Sequence, residues 1–164
     1  MKIPVNHVID SGAWFKYYGE KISCGRYWGP VDYRFRVLSF GRINLNDIDE
    51  PDKLDMREYN LLGGDFWIMK VEIVNLTKVK LYTGYLTQVI VVLDQDGYEY
   101  FHVNDMHLTL NSVYSKKTGL YAFHADLTPK IKYTGAIAYF LPKEEGAEYF
   151  LSVNSLIGGN IQEV

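Results

Sequence analysis

The chain has 164 residues, 48% of them apolar and 23% charged, with a formal net charge of -3. That length fits one domain able to bury roughly two thirds of its unfolded surface, and the near-average composition excludes a disordered tail or a collagen-like repeat. The acidic balance argues against a nucleic-acid binder, which needs a basic face, and apolar runs such as residues 89–93 are too short for a membrane-spanning helix.

Fourteen tyrosines, eight phenylalanines and three tryptophans, with many β-branched residues and fourteen glycines, point to strands joined by tight turns. Residues 1–30 are aromatic-rich and broken by glycines, and are expected to pack on the domain or extend it. The first clear strand is expected over 31–40, where Tyr33, Phe35, Val37 and Ser39 alternate with Arg34, Arg36 and Leu38. A long connection follows over 41–64, with six acids against Lys53 and Arg57 in residues 47–58 and room for one helical turn at 51–56. Residues 65–75 alternate again, with Trp67, Met69, Val71 and Ile73 on one face. Residues 87–94 read as a central core strand, and Asp94-Gln95-Asp96-Gly97 as a hairpin turn leading into 98–103. Further strands are expected over 107–111, 120–125, 131–141 and 148–153, with Pro142 closing the third of these. Helical spacing over 12 or more residues appears nowhere. The expected architecture is all-β: an immunoglobulin-like β-sandwich of seven to nine antiparallel strands over 31–164, preceded by the 1–30 segment.

From residue 31 onward the chain resembles the bacterial DUF4352 family of immunoglobulin-like β-sandwiches, related to the MPT63-type immunoprotective antigen fold. The resemblance rests on four stretches: Tyr33-Arg34-Phe35-Arg36-Val37 before a long loop; Gly63-Gly64-Asp65-Phe66-Trp67 leading to Asn75-Leu76-Thr77; Leu93-Asp94-Gln95-Asp96-Gly97-Tyr98; and Leu127-Thr128-Pro129-Lys130 before residues 133–142. The family usually has glycine after that first proline, where this chain has Lys130. The resemblance implies the sandwich fold and, because family members are commonly exported or surface-bound, such a location. The chain as given starts without the basic-then-apolar pattern of a secretory leader.

Chemistry-bearing residues are sparse. His102, Asp105 and His107 hold imidazole and carboxylate groups of the kind that bind zinc, but a spacing of five puts the two histidines on opposite faces of a straight strand. Asp94-x-Asp96-Gly97 has the start of a calcium loop with its glycine at the wrong position. Cys24 is the single cysteine, so no intrachain disulfide exists, and Arg26 stands near enough in sequence to lower a thiol pKa. There is no Gly-x-Ser-x-Gly elbow and no phosphate-binding loop. Asn75-Leu76-Thr77 matches a glycan sequon.

The expected function is a non-catalytic binding or interaction module without a cofactor, with a protein partner or self-association and no nucleic acid. Its contact surface is expected on Trp14, Phe15, Tyr17, Tyr18, Tyr27 and Trp28, rimmed by Asp47, Asp49, Glu50 and Asp52, a mix that selects a basic or amphipathic protein. The alternatives are a small metal-dependent enzyme centred on His102, Asp105 and His107, and a self-assembling structural subunit.

Overall fold

The computed structural model describes residues 2–24, 26–43, 63–82, 90–101, 126–152 and 160–164. These residues form β1 (Lys2–Pro4), α1 (Val5–Ser11), β2 (Trp14–Cys24), β3 (Tyr27–Arg42), β4 (Gly64–Asn75), β5 (Leu81–Tyr82), β6 (Val91–Asp94), β7 (Glu99–Tyr100), β8 (Asp126–Leu127), β9 (Lys132–Pro142), β10 (Tyr149–Ser152) and β11 (Asn160–Glu163). The order is β11-β2-β3-β4-β9 in one sheet, β1-β10-β6-β7 in a second and β5-β8 in a third, smaller one. Every neighbouring pair is antiparallel. With β4 beside β9 in one layer and β6 beside β10 in the other, the chain crosses between layers as an immunoglobulin-like sandwich does. The all-β sandwich expected from the sequence is therefore present. Among the described residues there are eleven strands rather than seven to nine, three of them only two residues long.

The surplus strands come mostly from the termini. β1 pairs with β10 at the edge of one sheet, while β2 pairs with β3 and β11 in the other. β3 runs unbroken through Gly29 and Pro30, so the expected boundary at residue 30 falls inside a strand. The expected strands at 107–111 and 120–125 and the helical turn at 51–56 lie outside the described residues.

Alternation decides which residues enter the core. Val31, Tyr33, Phe35 and Val37 of β3 are buried, whereas Asp32, Arg34 and Arg36 point to the outer face. The register shifts between Val37 and Ser39 at a β-bulge, which sets Phe40 opposite the buried Met69. The layers meet around Phe15, Tyr17, Met69, Val71, Ile73, Val92, Ile137, Tyr139 and Leu151. Phe15 stacks on Phe35 at 5.5 Å and Tyr17 on Tyr33 at 5.0 Å, cross-strand pairs worth about 1 kcal/mol each beyond their area. Tyr139 has its ordinary pKa pushed far up by complete burial, and its hydroxyl donates to the Ile90 carbonyl at 2.6 Å. The seven-residue helix α1 packs on β3 and β10, burying Val5 and Val8.

At one end of the sandwich, buried Asn75 joins four segments. Its amide donates to the carbonyls of Val79 and Leu127, both at 2.9 Å, and its side-chain oxygen accepts from the Thr77 N–H. Its backbone carbonyl accepts from the Lys130 N–H at 2.7 Å. Thr77 Oγ1 in turn accepts from the Asp32 N–H and donates to the Asp32 carbonyl. An amide so engaged is unavailable to an oligosaccharide in the folded protein, so the sequon match is a structural feature.

The neighbouring turn, closed by Ile131 N–H to Thr128 O, has Pro129 second and Lys130 third, with Lys130 at φ 66°. Proline followed by a positive φ is the pattern of a type II turn, whose third position favours glycine. Lys130→Gly is expected to raise stability by about 0.5–1 kcal/mol, since relief of left-handed strain exceeds the added unfolded-state entropy. A urea melt checks this: an unchanged or lower midpoint would show that Lys130 is not strained.

Candidate functional site

At the opposite end of β4 from Asn75, a cleft of about 540 Å³ opens between the layers. One side is the junction of β1 and α1, at Pro4, Val5 and Asn6; the others are Phe40 and Gly41 of β3, Trp67 of β4, and Ala147, Glu148 and Tyr149 leading into β10. Its volume lies within the range of small-molecule and side-chain pockets. Three rings define its apolar wall. Phe40 lies 5.0 Å from Trp67 and edge-on to Tyr149 at 5.9 Å, and Trp67 meets Tyr149 edge-on at 5.1 Å.

Each ring arrives by a different local rule. Trp67 is on the inward face of β4 by simple alternation. Phe40 is turned inward by the bulge before it, and Tyr149 by the pairing of β10 with Asp94 of β6. Trp67 also carries the Arg42 guanidinium 5.8 Å from its ring centre. Its indole N–H is buried and has no hydrogen-bond partner among the described residues, an unsatisfied donor that carries a cost.

Asp65 lies 3.6 Å from Arg42 and 3.8 Å from Lys143. Burial, then the charges of Glu144 and Asp94, raises the Tyr149 phenol above its ordinary range, so it is a neutral donor at physiological pH. Nearby, the buried Asp94 carboxylate accepts from the N–H groups of Asp96 and Tyr98 and from the Tyr100 hydroxyl. With Gly97 at φ 87°, these bonds make residues 94–97 the hairpin turn expected from the sequence. The carboxylate is committed to that turn, so the calcium-loop reading finds no support in its bonding.

The aromatic segment expected to form a contact surface is divided. Phe15 and Tyr17 are in the core, which corrects their assignment to a surface: as inward residues of β2 they face the other sheet. Trp14 is half-buried on the outer face with the Arg36 guanidinium 4.9 Å from its ring centre, and Tyr27 is half-buried and donates to the Pro30 carbonyl. Tyr18 and Trp28 are exposed, Trp28 to 67%. Asp47, Asp49, Glu50, Asp52, His102, Asp105 and His107 lie outside the described residues, as does the Cys24 side chain. Among the described residues, no group of three histidine, cysteine or acidic side chains is placed to hold a metal ion, and no helix is long and apolar enough to cross a membrane.

The cleft residues were legible only as core. Trp67 and Tyr149 sit in alternating strands, where aromatic residues usually fill the interior, and Phe40 falls out of phase with the alternation before it. The one available signal was that phase break at Leu38-Ser39-Phe40, which marks a bulge. No protein-family model and no curated protein matches the chain. Among solved structures, the chain is similar to a conserved hypothetical protein from Bacillus anthracis, at 14% identity, covering 84% of this chain and 90% of that one with a TM-score of 0.42.

Proposed function

We propose that this chain is a non-catalytic binding module that receives a side chain of a protein partner in the cleft of Phe40, Trp67 and Tyr149. The observation that carries the reading is an open space walled by the rings of Phe40, Trp67 and Tyr149. A fitting group is flat and apolar, able to lie against the three rings. Aromatic anchors surrounded by a polar rim, here Asn6 and Glu148, are the usual composition of an interface hot spot. Kinship with the DUF4352 sandwiches belongs to the same reading, supported by the all-β sandwich and by the Asn75-Leu76-Thr77 strand end.

The chain has three tryptophans, so its indole N–H resonances are three in number and assignable by substitution. Titration with N-acetyl-tyrosinamide or N-acetyl-tryptophanamide is expected to shift the Trp67 resonance, through the ring current of the bound probe, while those of Trp14 and Trp28 stay in place. Tyr149→Ala is expected to abolish the shift by removing one wall. A Trp67 resonance that ignores both probes would overturn the cleft as a binding site.

A further inference from the structure

The Asn75 end of the sandwich carries a second surface, independent of the cleft. Two loops meet there, and each exposes an aliphatic residue between two lysines: Lys78-Val79-Lys80 and Lys130-Ile131-Lys132. Val79 is 38% and Ile131 49% exposed, and all four lysines are exposed. Asn75 holds the loops side by side, since its amide binds the Val79 carbonyl while its backbone carbonyl binds the Lys130 N–H. Tyr82, 44% exposed, extends the patch. Among the described residues the acids nearby are exposed Asp126, opposite Tyr82 on β8, and two already paired: Glu72 with Arg36 and Lys132, and Asp32 with Lys16. An end so rich in lysine is unexpected in a chain of net charge -3.

We infer that this end docks on an anionic lipid surface, with Val79 and Ile131 entering the headgroup boundary and Lys78, Lys80 and Lys130 resting on lipid phosphates and carboxylates. Three features favour a bilayer over an acidic protein. Protein interfaces deplete lysine and favour arginine at their anchors, the reverse of this patch. Two aliphatic tips on a rigid sandwich suit a soft apolar layer, which needs no shaped counter-surface. Tyrosine, as an amphipathic ring, is at home at headgroup depth. The left-handed strain at Lys130 fits as well, because backbone strain concentrates where a side chain is placed for function.

The test is co-sedimentation of the full chain with phosphatidylcholine vesicles, with and without phosphatidylserine, over a salt series. Binding is expected only with phosphatidylserine and to weaken as salt rises. Lys78→Gln, Lys80→Gln and Lys130→Gly are each expected to weaken it about fivefold, and Ile131→Ser several-fold at constant net charge. Lys130→Gly is the informative variant: it is expected to melt later and bind more weakly, a pairing that misfolding does not produce. Equal binding to both vesicle types, no binding at low salt, or binding indifferent to all four substitutions would overturn the inference. Capture by polyglutamate beads without vesicle binding would overturn it too, assigning the lysines to an acidic protein. None of these outcomes bears on the cleft, whose readout is the Trp67 resonance.

Discussion

Asn75→Ala is expected to cost about 3 kcal/mol and to lower the melting temperature by about 10 °C, the largest effect of any polar substitution considered for this chain. The side chain is fully buried and uses three hydrogen bonds, to the Val79 and Leu127 carbonyls and from the Thr77 N–H. Alanine leaves all three partners behind at a position with no exposed surface. The loss also spreads, because Thr77 ties this corner to Asp32 of β3, and Lys130 hangs from the Asn75 carbonyl. Asn75→Asp is a sharper probe. An ionised carboxylate keeps the bond from Thr77 but sets a negative oxygen against two carbonyl oxygens, so its defect is expected to ease as the pH falls and the group protonates. Thermal melts of both variants at neutral and acid pH decide the matter. An Asn75→Ala protein that melts with the wild type would mean that solvent reaches the corner and satisfies the orphaned groups.

That corner also shows how far the sequence was legible. Asn75-Leu76-Thr77 was recognisable as a strand end, and residues 65–75 and 131–141 came within a residue of the observed β4 and β9, because alternation with period two is a local property. The turn at 94–97 was legible for the same reason, with its aspartate, its glycine and its hydrogen bonds within five residues. Non-local partners were not. Nothing in residues 2–4 announces a strand that joins β10, and nothing in 160–163 announces pairing with β2, since each borrows its order from an edge formed far away in sequence. The clustering of Trp14, Phe15, Tyr17 and Tyr18 points to a surface only if the four rings act as one group. In β2, up to the register shift after Gly19, odd positions belong to the core and even ones to the outer face. The cleft was hidden by the same logic reversed, because Phe40 reaches it only through a one-residue bulge.

Asp94→Ala is expected to cost about 2–3 kcal/mol near neutral pH and to make both ends of the stability–pH curve shallower. Burial alone would raise the Asp94 carboxyl; bonds from Tyr98, Tyr100, Asp96 and Gly97 overcome that and hold its pKa below the ordinary 3.8. A lowered folded pKa means that the unfolded chain binds the proton first. The stabilisation is therefore complete above about pH 5 and is lost as pH falls through the unfolded value toward the folded one. Glu72 acts in the same direction: burial opposes its ionisation, but Arg36 at 2.6 Å and Lys132 at 3.1 Å hold its pKa below 4.5. At the alkaline end the sign reverses. Burial first, and the bond to Asp94 second, push Tyr100 up to about 12. Its contribution is complete below the ordinary tyrosine value of 10 and is lost as pH rises from there through about 12. Removing Asp94 takes away its own share of the acid limb and part of the Tyr100 shift, while Glu72 keeps the rest of the acid limb in place. Urea melts of wild type and Asp94→Ala from pH 3 to pH 11 are expected to show the curves converging at both extremes. Parallel curves would mean that the turn is held by its backbone bonds alone, with the carboxylate contributing nothing that depends on its charge.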